Sequence, residues 1–372
     1  MEIAGGLLGA NAGDALNTLL MSVFLVTLVR EKYLLALLPV LAALRGGVMT
    51  SMASRVTSRL YLGLYPPRAR EILRSETGRT VSLALLSAAF GGLVISAISR
   101  SPAREALPTA VISSLIAIGA LLPLTVIIVV VGFRRNLNPD NYVAPILTVL
   151  GDASTVPSLV IAAVFVGHGR LADSILTVLA LYFSLKVAFA VALSRPEDRR
   201  ILGESLLGLL VVGMLESLTG GFYARYTDLL LSLTILHLVP SMMEDVGAAV
   251  SVFTSRTTTL SHLHGFPGAL ARAPVVAAEV LVASTPAITV LSTIGYMTGR
   301  IAYGHIEFLP LIKAVSITWV GLFLLLAPVA LMLSWAATRL GFDPDNIVLP
   351  IMTSIVDVSL IPFIALIAGV IA

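Results

Sequence analysis

Two stretches of the chain carry the same polar residues at the same spacing. Residues 138–157 read NPDNYVAPILTVLGDASTVP, and residues 343–362 read DPDNIVLPIMTSIVDVSLIP. In the first, Asn141, Pro145, Thr148 and Asp152 fall at i, i+4, i+7 and i+11. Asn346, Pro350, Thr353 and Asp357 repeat the series at an offset of 205. On a helix this spacing gathers an amide, a hydroxyl and a carboxylate on one face. The stripe is all oxygen, without sulfur or imidazole, which suits a hard divalent cation such as magnesium better than zinc or copper. Magnesium keeps most of its water and is held by one or two carboxylates. Asp152 and Asp357 would supply these, with Thr148, Thr353, Asn141 and Asn346 orienting the water.

Such carboxylates need elements to carry them, and the composition says which kind. Of 372 residues, 57% are hydrophobic and 12% charged, with a mean hydropathy of +0.98. Soluble domains are about 25% charged, so a water-soluble globule of this size would lack the ionisable groups to cover itself. A soluble enzyme, a nucleic-acid binder and a disordered chain are excluded. The expectation is an all-α polytopic membrane protein. The net charge of +3 is accounted for by loop arginines at a membrane surface. Cysteine is absent, which removes disulfides and thiolate metal sites. No Gly-Lys-Ser/Thr phosphate loop and no His-Glu-x-x-His motif occurs, so nucleotide-driven transport and zinc proteolysis have no support. No organic cofactor is expected.

Apolar runs predict eleven spans, near 4–29, 34–63, 80–99, 106–133, 141–166, 171–193, 201–222, 227–254, 274–298, 306–337 and 346–371. Each is hydrophobic on all sides and long enough for a helix crossing about 30 Å of hydrocarbon. The first lacks a basic leader and a small-residue cleavage site, so it reads as a span rather than a signal peptide. With a cytoplasmic N-terminus, fourteen basic residues fall in inner loops and seven in outer ones. The positive-inside rule therefore places the C-terminus outside. The polar segment 64–79 reads as a solvated connector. Asn138–Pro139 and Asp343–Pro344 predict capped starts for the fifth and eleventh spans. At 1.5 Å per residue each aspartate then lies roughly 20 Å into its helix, deep in hydrocarbon.

The repeat extends beyond the stripes. At an offset of 201, Pro39 matches Pro240, Gly46 matches Gly247, Ser54-Arg55 matches Ser255-Arg256 and Thr57 matches Thr258; Asp14 stands opposite Glu216. The expected organisation is a first five-helix repeat over 1–168, a linker helix over 169–196 and a second repeat over 197–372. Five spans reverse the chain's sidedness and the linker restores it. The halves are thus parallel, related by a pseudo-twofold axis along the membrane normal. A carboxylate in hydrocarbon costs at least roughly 2.5–3.5 kcal/mol. A purely structural acid is tolerated when bonded to a neighbour, but the whole stripe occurs twice, which favours a pathway.

The doubled PDN-x3-P-x2-T-x3-D pattern, with Ser-Arg in the second span, resembles the MgtE magnesium channels, and more closely their duplicated relatives, the solute carrier family 41 magnesium transporters. The resemblance spans nearly the whole chain in topology. It implies magnesium as the transported ion, Asp152 and Asp357 as pore aspartates, and Asp14 and Glu216 as first-span acids. Relatives often carry Gly-Asn and a following acid in the second span. Here Gly46-Gly47 and Met49 stand instead, with Gly247-Ala248 in the second half, while Glu244 and Asp245 could restore an acidic cluster there. MgtE proteins also carry soluble magnesium-sensing domains; with no room for one before residue 1 or after Ala372 of this sequence, the expectation is that no such sensor gates it.

Other charged residues read as structural. Arg45, Lys186, Glu279 and Lys313 lie within spans and show no repeat partner. The two lysines are expected to snorkel or pair, and Arg45 to neutralise an acid of the other half. His262 and His264 are two apart and read as surface residues. The favoured function is divalent cation transport through a central pore, by a chain able to act as a monomer. The alternatives are a carrier exchanging a divalent cation for sodium or protons, using Asp14, Glu216 and Glu279, and an intramembrane aspartyl enzyme or scaffold. The Asn/Thr stripe speaks against the last, because an aspartyl pair must share one proton.

Overall fold

The computed structural model describes residues 2–99, 102–135, 143–168, 170–194, 196–340 and 344–371. The elements are α1 (Glu2–Arg30), α2 (Lys32–Tyr61), α3 (Ala69–Ser99), α4 (Ala103–Arg134), α5 (Val143–His168), α6 (Arg170–Ser194), α7 (Pro196–Ser232), α8 (Val239–Tyr303), α9 (Phe308–Arg339) and α10 (Pro344–Ile371). A 3-10 turn at Leu236–Leu238 precedes α8, and no strand occurs among the described residues. In hydrocarbon every backbone group must be paired within the chain, and helices do this segment by segment. Nine helices among the described residues are long and apolar enough to cross a membrane.

Two breaks depart from the expected spans. α7 runs on to Ser232, and the chain turns at 233–238, inside the stretch expected as one span over 227–254. Thr234 adopts a positive φ of 54° there. The buried His237 donates a hydrogen bond from its Nε2 at 2.9 Å to the Gly295 carbonyl, holding the turn. α8 has 65 residues, but Gly265 within it has φ 69° and ψ 170°, outside helical space. At 1.5 Å per residue a straight α8 would reach about 98 Å, three times the hydrocarbon thickness. Gly265 divides it into segments 239–264 and 266–303, and only glycine takes that conformation without strain.

The chain forms two compact units, and their limits fall inside helices. One comprises residues 27–224. At its centre α2 is buried over most of its length, from Leu34 through Met52. α3 closes on it through Gly91, where an added Cβ would lie 2.6 Å from Val40. α4 and α5 complete the group, and α6 lies against α3, with Ala180 and Leu181 on the Leu85–Ala89–Val111 cluster. The rest of α6 presents Leu171, Val178, Phe183, Phe189 and Leu193 outward. α7 seats on α2, with Gly213 near Leu44 and Gly220 against the Ala36 carbonyl.

The other unit comprises residues 1–26 and 225–372. Its centre is the first segment of α8, where Met242, Val246, Val250 and Phe253 are buried. α9 packs there through Phe323, whose ring meets Phe253 edge-on at 6.0 Å and stacks on Trp319 at 5.7 Å. Gly321 of α9 meets Phe363 of α10, and Gly295 of the second α8 segment meets Leu238. α1 joins this unit through a 2.7 Å hydrogen bond between Thr18 and Ser241. Each unit thus holds the first helix of the other half of the chain.

The segment 64–79, expected as a solvated connector, is only partly one. Helix α3 starts at Ala69, and Glu76 and Arg79 are buried. The C-terminal end of α2 and the first turns of α3 converge on Glu76, which removes it from solvent despite the polar sequence around it.

Candidate ion-binding site

Asp152 sits on α5 and Asp357 on α10, both half-buried. α10 begins at Pro344, as a proline at the first helical position should. Thr353 is half-buried one turn before Asp357. Asn141 lies outside the described residues, and so do the side chains of Asp14, Thr148 and Asn346. The second-helix glycines meet the stripe helices in both units. An added Cβ on Gly151 would come within 3.9 Å of the Gly46 backbone nitrogen, and one on Gly247 within 4.0 Å of the Thr353 methyl. The two sequence motifs, about a hundred residues apart in each half, are therefore neighbours in space. Glu216 on α7 and Asp245 on α8 are buried and Glu244 half-buried; Glu216 falls in one unit and the adjacent pair Glu244 and Asp245 in the other. Among the described residues no group of three or more His, Asp or Glu side chains is placed to hold a metal ion.

Arg45 is the largest departure from expectation. It is 2% exposed, in the middle of α2. Its guanidinium donates to Ser158 of α5 at 2.9 Å and to Ser113 of α4 at 2.5 Å, and the two hydroxyls are 3.2 Å apart. Arg45 was expected to serve an acid of the other half; these partners all lie in its own unit. The reason is local, because α2 and α5 approach closely at Gly46 and Gly151, beside Arg45, which lets its side chain reach Ser158.

Glu279, expected to lack a repeat partner, has one. Arg256 donates to Glu279 at 2.5 Å. In the other unit Arg55 approaches Glu76 at 3.6 Å. The offsets are 201 for the arginines and 203 for the glutamates, so both second helices grip the following helix by the same ion pair. The surroundings differ. Glu76 is fully buried and also receives Arg59 at 3.1 Å, Arg79 at 3.6 Å and the Tyr65 hydroxyl at 2.8 Å. The Arg256–Glu279 pair is about half exposed on both sides.

The remaining charged residues are peripheral. Lys186 is exposed and lies over the Tyr182 ring at 5.2 Å, a cation–π contact on the outward face of α6. Lys313, His262 and His264 are exposed.

Nine long apolar helices among the described residues define a polytopic membrane protein. The chain belongs to the MgtE family of divalent cation transporters, which it matches over residues 38–162 and 239–367. It is similar to solute carrier family 41 member 3 of Rattus norvegicus, with 26% identity over 368 residues, 88% of this chain and 77% of the relative. The Mus musculus protein of the same name is 25% identical over 369 residues, 88% of this chain and 72% of the relative. No solved structure matches the chain. The activity is cation transport in a membrane, not enzymatic catalysis.

Proposed function

We propose that the transported ion is magnesium and that it passes between the two repeats, along the stripes of α5 and α10, held by the pair Asp152 and Asp357. Thr148, Thr353, Asn141 and Asn346 order its water shell. The observation that carries this reading is the recurring contact of the second-helix glycine with the stripe helix, Gly46 on Gly151 and Gly247 on Thr353. It sets a second-helix glycine within about a turn of the aspartate on the stripe helix in each half. A mostly hydrated magnesium ion needs only one or two carboxylates, so a site without a third acidic ligand is sufficient.

The repeats 1–168 and 197–372, joined by the linker 169–196, are parallel in this reading and give eleven crossings about a pseudo-twofold axis. The arginine bias puts the N-terminus in the cytoplasm and the C-terminus outside. Both halves of the path come from one chain, so a monomer suffices. Asp14, Glu216, Glu244 and Asp245 are accessory acids beside it.

Magnesium uptake by the purified chain in proteoliposomes tests the assignment. Asp152→Ala and Asp357→Ala should each lower uptake by about tenfold or more, since each removes one of two carboxylate ligands. Wild-type uptake in both variants sinks it. Uptake that requires an imposed sodium or proton gradient assigns the same site to coupled exchange.

A further inference from the structure

We propose that the cleft at the start of α3 binds the phosphate of an anionic phospholipid, held by Arg70 and Arg74. The cleft measures about 880 Å³, within the range of small-molecule sites. Among the described residues its walls are Arg70, Glu71, Arg74 and Ser75. Arg70 and Arg74 are four apart, so they stand one above the other on one helix face. Both are exposed, and neither makes an ion pair or hydrogen bond among the described residues. Glu71 would repel an anion, but Arg68 donates to it at 3.2 Å and balances its charge. Two positive forks remain, and guanidinium groups match phosphate oxygens in geometry and charge. The floor is tied to the buried cluster behind it. The Tyr65 hydroxyl donates to Glu76 at 2.8 Å and so accepts from Ser75, also at 2.8 Å.

The neighbouring helix says which phosphate fits. α6 runs antiparallel to α3, with Ala180 and Leu181 on the Leu85–Ala89–Val111 cluster and Val187 against Gly78. Gly78 lies one turn after Arg74, on the same face. At 1.5 Å per residue, the last turns of α6 beyond Val187 are therefore level with Arg74. Phe189 and Leu193 there are exposed, as are Leu62 and Leu64 in the connector before α3. The cleft thus stands at the margin of the hydrocarbon-facing surface, where phosphates carry acyl chains. A soluble phosphate would use the arginines and leave that apolar margin without a role.

The other half of the chain shows that the helix itself does not require these arginines. At the offset of 203 that relates Glu76 to Glu279, Arg70 becomes Ala273, Arg74 becomes Ala277 and Ser75 becomes Ala278. The ion-pair glutamate is kept there while the basic face is absent. Arg70 and Arg74 accordingly serve something outside the helix bundle.

Thermal unfolding of the full chain in neutral detergent, titrated with phosphatidylglycerol or phosphatidylcholine, tests the site. Phosphatidylglycerol should raise the unfolding temperature saturably, and phosphatidylcholine at the same mole fraction should not. Arg70→Gln combined with Arg74→Gln should raise the half-saturating phosphatidylglycerol by about thirtyfold, since two basic contacts are lost. Both side chains are exposed, so without lipid this variant should unfold close to the wild-type temperature. Arg30→Gln combined with Arg104→Gln removes the same charge at the opposite ends of α2 and α3. It should leave half-saturation within about twofold, because distant exposed charges are screened. Equal losses in the two double variants, or no preference for phosphatidylglycerol in the wild type, overturn the proposal. An equal rise with inorganic phosphate at matched concentration also overturns it, making the cleft a site for soluble anions.

Discussion

Glu76→Gln should destabilise the protein by about 3–5 kcal/mol, while Glu279→Gln, at the matching place in the other half, should cost about 1 kcal/mol or less. Both variants keep the shape of the side chain and remove one negative charge. Glu76 is fully buried and is approached by Arg55, Arg59 and Arg79. Its neutralisation leaves three guanidinium groups gathered around an amide, with little solvent to screen them. Glu279 faces Arg256 at a half-exposed surface, where water and salt replace most of what the pair provides. Thermal unfolding of the detergent-solubilised protein measures the difference. The Glu76 variant should unfold well below wild type and the Glu279 variant within a few degrees of it. Equal shifts would mean that the buried cluster contributes no more than a surface pair.

The two ion pairs also show what a sequence yields and where it stops. The stripes of α5 and α10 were legible because polar residues in apolar helices are costly and because the pattern recurs with fixed spacing. Membrane insertion follows from composition alone. Glu76 was misread for the opposite reason: the run from Leu64 to Arg79 is so polar that solvation is its natural reading, and burial comes only from the convergence of α2 and α3. A signal was present in the near-equal offsets of Arg55 to Arg256 and Glu76 to Glu279. Arg45 illustrates a different limit. Its depth in a span is visible in sequence, but its partners Ser113 and Ser158 lie 68 and 113 residues away, and serines are common in helices. Only the packing of α2, α4 and α5 selects them.

Which half a first helix joins is equally invisible to sequence, because the stretches of α1 and α7 both read as long apolar spans carrying an acid, Asp14 and Glu216, and either fits either half by pattern. The structure places residues 1–26 with the second half and residues up to 224 with the first. Gly220 is where that placement is most demanding. A Cβ there would stand 2.0 Å from the Ala36 carbonyl oxygen and 3.0 Å from Ile95, so the α7 backbone lies directly on that of α2. A carbonyl oxygen within the α2 ladder has no room to yield. Gly220→Ala should therefore push the helices apart and cost about 3 kcal/mol, at the upper end of the range for overpacked interiors. Gly208→Ala is the control on the same helix. Nothing lies within 4 Å of its added Cβ, and alanine's helix propensity should raise stability by up to about 1 kcal/mol. Glu216 is one turn before Gly220, on the same face of α7, so displacing the helix moves a buried acid as well. Gly220→Ala should accordingly lower both the unfolding temperature and cation uptake, and Gly208→Ala neither. A Gly220→Ala protein that unfolds at the wild-type temperature would mean that α7 is not seated on α2.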